Sequence, residues 1–235
     1  LSPELADKIV DEGIALLGQE GIFVENREAL RLLDEAGAAA DGATQRVRIG
    51  RSLVLECLAS TPAAITMYDR SGEKSYLVGG DEIHFDPGSA AVTLLDHGTQ
   101  EERKASSADV AAFYKLTETL EHIHFQSTCL IAADVPGPVA DAFRLYLGLV
   151  LSGKPFVTGT FRVEGFRPMK DLLAAGRGGE GALRAKPLAI FDACPSPPLK
   201  WSNLTAQSLV DAARAGVPSE LISMGMTGAT SPITI

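Results

Sequence analysis

Four short apolar runs punctuate the second half of the chain at nearly even intervals, over residues 123–132, 156–161, 188–194 and 220–226. The last three open behind Pro155, Pro187 and Pro218, prolines that stand 32 and 31 residues apart. Brief runs of Ile, Val, Phe and Leu are what strands covered on both faces require, and proline fits a strand's entry. Between them Val139, Phe143, Tyr146 and Val150, then Ala206, Leu209, Val210 and Ala213, recur at three and four residues. That spacing predicts two helices, each burying the named face, with Gly153 and Gly216 closing them. Strand, turn and helix repeated every thirty residues or so is a βα unit, and right-handed succession of such units gives a parallel sheet.

About 113 residues run from Ile123 to the last position, whereas a closed eight-stranded barrel takes about 250. Four units fit. The predicted fold class is α/β, a (β/α)8 TIM-type barrel with only about its first four βα units present. Ser231-Pro232 reads as the start of the fourth barrel helix, where the chain is cut. Gly176, Gly178, Gly179 and Gly181 read as a mobile loop over the barrel mouth.

Upstream the texture changes. Ser2 and Pro3 open a helix to about Leu17, Asn26 caps a second that ends at Gly37, and Ser52 caps a third before Pro62. Alternating residues 65–69, 75–78 and 82–85, broken by Ser71-Gly72 and Gly79-Gly80, predict a small antiparallel meander. From Ser106 a helix carries Val110, Phe113, Leu116 and Leu120 inward, with Ser106 and Asp109 at capping-box separation. The chain is thus expected to hold an N-terminal α+β cap, residues 1–105, and the first half of a parallel barrel, residues 106–235.

Composition narrows the function classes. A net charge of −9 without clustered Lys and Arg argues against nucleic acid or an anionic membrane as partner. Cys57, Cys129 and Cys194 are odd in number and lack metal-ligand spacing, which suggests a reducing compartment, with Cys57 and Cys129 buried as small hydrophobes. No apolar run approaches the length of a membrane span and no signal-peptide pattern opens the chain, so a cytoplasmic location is expected. An incomplete barrel of high apolar content also predicts a homo-oligomer.

Several motifs together carry a resemblance. Residues 83–103, with Phe85-Asp86-Pro87-Gly88 and Leu95-Asp96-His97-Gly98-Thr99, then Ser107-Ala108-Asp109, Ala133-Asp134-Val135-Pro136, Gly153-Lys154-Pro155, Ser196-Pro197-Pro198-Leu199 and Gly228-Ala229-Thr230-Ser231-Pro232, resemble the trimethylamine methyltransferase family in order and spacing. The resemblance implies a (β/α)8 barrel in proteins about twice this length. It also implies transfer of a methyl group from a methylated amine to the cobalt of a separate corrinoid protein. Some members act on trimethylamine and use pyrrolysine; others lack it and demethylate quaternary amines such as glycine betaine. No pyrrolysine stands in these residues, and the reading leans to a quaternary amine. No cofactor is expected to bind this chain directly, the corrinoid being carried by the partner. The match also places Asp96 and His97 among the substrate-binding candidates, against an ordinary turn role.

A quaternary ammonium leaves as a neutral amine, so no general acid is needed and the protein's tools are position, aromatic faces and carboxylates. Barrel sites lie at the C-terminal ends of strands, which singles out Asp134, Phe161, Arg162, Glu164, Asp192, Cys194, Met226 and Thr227, with Asp192 first. Trp201, the only tryptophan, offers a cation-binding face from a loop. Each has a plainer alternative: Asp192 as a satisfied buried acid, Asp134 as a helix cap, Arg162 and Glu164 as a surface ion pair, and Trp201 as packing. His122 and His124 would point to one side of a strand, but two ligands make no zinc site without a third. Two other functions stay open. One is a barrel lyase or aldolase, for which Lys154 and Lys186 stand at the wrong strand end; the other is a non-catalytic half-barrel that assembles through its sheet edge.

Overall fold

A computed structural model describes residues 2–222 together with Gly225 and Gly228. In chain order the elements are α1 (Pro3–Gln19), β1 (Ile22–Val24), α2 (Arg27–Glu35), β2 (Ala39–Asp41), β3 (Arg46–Arg48), α3 (Arg51–Ser60), β4 (Ala64–Tyr68), β5 (Ser75–Gly79), β6 (Thr93–Leu95), β7 (Glu102–Lys104) and α4 (Ser107–Glu118). Then follow β8 (Gln126–Ser127), α5 (Gly137–Leu151), β9 (Phe156–Thr158), α6 (Phe166–Arg177), α7 (Glu180–Ala185), β10 (Ala189–Ala193), β11 (Lys200–Trp201), α8 (Asn203–Ala215) and β12 (Ser219–Leu221). Two compact units result. One holds Leu1–Pro62, Ala193–Val210 and Leu221–Ile235, the other Ala63–Asp192 and Asp211–Glu220. This division does not run at residue 105, because Lys200 and Trp201 pair in parallel with Phe23 and Val24 of β1.

The first unit is a four-stranded sheet in the order β11-β1-β3-β2. Its core is Ile22, Val24, Ala29, Ala38, Val47 and Ala206. The Ser2 and Asn26 side chains accept from Leu5 N and Ala29 N, as expected of N-caps. Ser52 does not cap α3. That helix starts at Arg51 behind Gly50, with no side-chain cap, so Ser52 lies within its first turn. Cys57 is exposed on α3, contrary to its expected burial, while Cys129 is buried; no disulfide joins any of the three cysteines.

The second unit carries a parallel sheet in the order β12-β10-β9-β8. Gln126 and Ser127 pair with Phe156 and Val157, and Ala189 to Phe191 with Phe156 to Thr158, both in parallel. Phe191 N donates to Pro218 O and Ile222 N to Ala193 O, so β12 advances in the same direction as β10. The four periodic runs therefore lie side by side in one direction, each as a strand shorter than its apolar run. One face of β9 and β10, through Phe156, Ala189 and Phe191, joins the large core with α4, α5 and α6. The alternate residues Val157 and Ile190 face Met67, Tyr76 and Phe125.

Two helices are rotated relative to the sequence pattern. On α5 the buried positions are Asp141, Arg144, Leu145, Gly148 and Leu149, whereas Val139, Tyr146 and Val150 are 53%, 49% and 55% exposed. The true face still has helical spacing, but it contains an ion pair that an apolar stripe cannot reveal. On α4 the buried residues are Val110, Tyr114 and Thr117, while Leu116 and Leu120 are exposed. The Tyr114 hydroxyl donates to Arg144 O at 3.0 Å and Thr117 Oγ1 to Gln126 Oε1 at 2.7 Å, which lets polar tips turn inward. Gly148 is required by close approach: a Cβ there would stand 2.5 Å from Phe156 Cε1 and 3.0 Å from Tyr114 Cζ.

The meander is also revised. β4 and β5 pair antiparallel as expected, but residues 82–85 form no strand. Phe85 O instead accepts from His124 N and Phe125 N, and the second hairpin is β6-β7. The glycine cluster is not a loop over strand ends. It is the corner between α6 and α7, where Gly178 and Gly179 take φ of 90° and 129°, values open to glycine. Ser231 and Pro232, expected to begin a fourth barrel helix, lie outside the described residues.

Candidate functional site

Asp192 is the fourth residue of β10, on the face shared by Val157 and Ile190 and close to the strand's C-terminal end. Gly159 follows β9 on the neighbouring strand and lies beside the Asp192 side chain, where a Cβ would stand 3.5 Å from Asp192 Cβ, an ordinary contact. The Asp192 carboxyl meets that of Glu220 on β12, with Asp86 the next acidic neighbour. Burial raises its pKa, the contact with Glu220 raises it further, and together they push it to about 8. Asp192 Oδ1 is buried without a hydrogen-bond partner. Beside this cluster is a cavity of about 130 Å³ lined by Val78, His84, Asp86, Phe125, Val157, Ile190 and Glu220.

Aromatic rings form one wall. His84 stands 5.4 Å from Phe125, 5.8 Å from Tyr76 and 5.3 Å from His124, centroid to centroid. His84 Nε2 donates to Leu77 O at 2.7 Å, which orients the ring. His122 and His124 precede β8 rather than flank a strand residue. Among the described residues no group of three His, Cys, Asp or Glu side chains could hold a metal ion.

A buried ion pair holds the adjoining strand ends. Arg144 donates to Asp141 at 2.8 Å and to Thr128 O at 2.7 Å, while Asp141 accepts from Thr160 Oγ1 and Phe161 N. Thr128 follows β8, and Thr160 and Phe161 follow β9, so one pair on α5 fixes both segments. The Phe161 ring lies 5.1 Å from the Arg144 guanidinium.

Of the residues nominated from sequence, only Asp192 reaches the cavity cluster. Asp134 accepts from Ser107 N and Oγ at 2.8 and 2.7 Å, bonds that lower its pKa; it caps the first turn of α4. Phe161 is exposed and already has a cation on one face, that of Arg144. Arg162 stands 3.8 Å from Glu164, both exposed, a surface pair. Asp96 turns the β6-β7 connection by accepting from Gly98 N and Thr99 N and pairs with Arg103 at 3.2 Å, with His97 exposed in the same turn. Trp201 is a strand residue of the first unit, packed against its core. Cys194 belongs to that unit too, where its carbonyl accepts from Thr205 Oγ1. Met226 and Thr227 lie outside the described residues.

Sequence reading missed Glu220, Asp86, His84, Asp141 and Arg144. Asp86 sits in the Phe85-Asp86-Pro87-Gly88 motif, and Glu220 opens the fourth apolar run, an acid where the pattern asks for an apolar residue. Both signals were visible as exceptions.

Fold and site together define an α/β protein whose parallel sheet presents carboxyl groups and aromatic rings at a small cavity, a lining suited to an organic cation. The model of the trimethylamine methyltransferase (MTTB) family matches residues 1–235, and the chain belongs to that family. The trimethylamine methyltransferase MttB of Desulfitobacterium hafniense (strain DSM 10664 / DCB-2) is 29% identical over 222 residues, 94% of this chain and 45% of its own length. A glycine betaine methyltransferase of Desulfitobacterium hafniense (strain Y51) is 27% identical over 237 residues, 100% of this chain and 49% of its own. The trimethylamine methyltransferase MttB of Methanosarcina thermophila is 26% identical over 223 residues, 93% of this chain and 46% of its own. The chain thus spans about half the length of these relatives.

Proposed function

We propose that this chain forms part of a methyltransferase that takes a methyl group from a methylated amine, a quaternary amine such as glycine betaine or else trimethylamine, and passes it to the cobalt of a separate corrinoid protein. The family match across residues 1–235 carries the reading. The cavity supports it chemically: carboxyl groups of Asp86, Asp192 and Glu220 complement a cation, and Phe125 and His84 offer faces to N-methyl groups. Methyl transfer from such a cation needs no proton donor on the leaving amine, so positioning and charge complementarity are the protein's main contributions. The corrinoid is the methyl acceptor and arrives on its partner.

In the same reading the parallel strands β8, β9, β10 and β12 are consecutive staves of a (β/α)8 barrel. Their sequential order and the length of the relatives support this. The protein acts in the cytoplasm as a homo-oligomer; among the described residues no helix is long and apolar enough to cross a membrane.

A Schiff-base lyase is disfavoured. Lys154 Nζ donates to the Thr117 and Leu120 carbonyls at 2.7 and 2.8 Å, and Lys186 Nζ to Gly72 O at 2.8 Å, so both amines are engaged at the strand entries. The test supplies the protein with a reduced corrinoid protein and either glycine betaine or trimethylamine. Amine-dependent change in the corrinoid's visible spectrum is expected; no change with any methylated amine would remove the proposal.

A further inference from the structure

α5 is apolar on every side. Its only charged residues, Asp141 and Arg144, are buried against each other, and its remaining positions from Gly137 to Leu151 are aliphatic, aromatic, glycine or proline. Leu145 and Leu149 join the large core, and α4 and α6 pack alongside. What remains is the outward stripe of Val139, Phe143, Tyr146 and Val150, in which Phe143 is half-buried and the other three are exposed. A helix apolar all round is a buried helix, and an uncharged face about four turns long marks a contact surface. α1 shows the contrast, for its exposed Leu5 and Ile9 stand among Glu4, Asp7 and Lys8.

Two properties of the stripe indicate what covers it. It is symmetric: spacings of four, three and four residues place a valine at each end and an aromatic ring at each inner position. Turned about a twofold axis through its midpoint, the stripe meets itself residue for residue. It is also uncharged on a chain of net charge −9. Two copies repel except where no charge is presented, whereas a basic partner is drawn to the acidic surface instead. We propose that α5 is the interface between two copies of this chain, packed antiparallel, with Val139 against the partner's Val150 and Phe143 against the partner's Tyr146. Such a contact is isologous, and its aromatic pairs add to the burial of apolar area. This pairing rests on the homo-oligomer reading above and gives it a surface, yet needs neither amine nor corrinoid. One helix face falls short of the about 800 Å² per partner of a standard interface, so the pair dissociates on dilution and the dilute chain is monomeric.

Sedimentation velocity from about 1 μM to about 500 μM should show a reversible monomer–dimer equilibrium, strengthened by added salt, which screens the repulsion between like-charged copies. Tyr146→Glu should weaken it by about a hundredfold or more, because the symmetry buries two carboxylates in an apolar contact. Val139→Lys, at the other end of the stripe, should act in the same direction. Both positions are exposed, and circular dichroism should show both variants folded. Direction is read by cross-linking. Residues 139 and 150 lie about 16 Å apart along one helix, so Val139→Cys and Val150→Cys chains, mixed and oxidised, should link 139 to 150, with neither position linked to itself. A chain monomeric throughout, or a dimer unmoved by both charge substitutions, would overturn the interface. A link from 139 to 139 would overturn the antiparallel arrangement. Either failure leaves methyl transfer to its own corrinoid assay.

Discussion

Asp192 sets a pH dependence of stability whose sign can be worked out. Its folded value, raised to about 8 by burial and by Glu220, lies above the ordinary carboxyl value, so the native chain binds more protons than the unfolded chain between about pH 4 and about pH 8. Stability contributed at this residue is therefore greatest at low pH and is lost as pH rises through that window. Asp192→Asn removes the loss. Urea unfolding should show the variant and parent equal below about pH 4 and the variant gaining on the order of 5 kcal/mol by about pH 8; a gap that does not change with pH would contradict it. Asp141 has the opposite character. It compensates the fully buried Arg144, and Asp141→Ala would leave that guanidinium uncompensated, at a cost of about 3–5 kcal/mol in the same unfolding experiment. A loss below about 1 kcal/mol would show that the pair does not hold the strand ends.

Helix phase is the lesson of the elements. The α5 stripe Val139, Phe143, Tyr146 and Val150 has good helical spacing, yet the helix turns its other face inward because Asp141 and Arg144 satisfy each other and bring Leu145, Gly148 and Leu149 with them. Leu145→Ala is expected to cost about 2–5 kcal/mol, and Tyr146→Ala about 0.5 kcal/mol or less, in chemical denaturation. The reverse ranking would restore the stripe as the buried face. Much else at this scale was legible in the sequence. The prolines marked the entries of β9, β10 and β12 because they cannot donate to a ladder, and the Ser106 capping box is formed as the three-residue separation of Ser106 and Asp109 implied. What escaped was non-local. β11 pairs with β1 across nearly the whole chain, and Phe85 gives its carbonyl to residues 124 and 125 rather than to a hairpin partner. At the site, Asp192 could be named from its strand-end position, but Glu220 and Asp86 join it only through strand order and a distant loop.

At the scale of the whole molecule, the chain is two compact units, one of which carries the parallel sheet and the acidic cavity. The chain belongs to the trimethylamine methyltransferase family, and the function proposed above gives this cavity the role of holding the methylated cation. The most direct test is a titration of the methyl-labelled chain with glycine betaine and with tetramethylammonium, read by methyl NMR. The account predicts saturable shifts at Val78, Val157 and Ile190, lost in the Asp192→Asn, Glu220→Gln double variant. Shifts that survive in that variant, or none at these three residues, would contradict it.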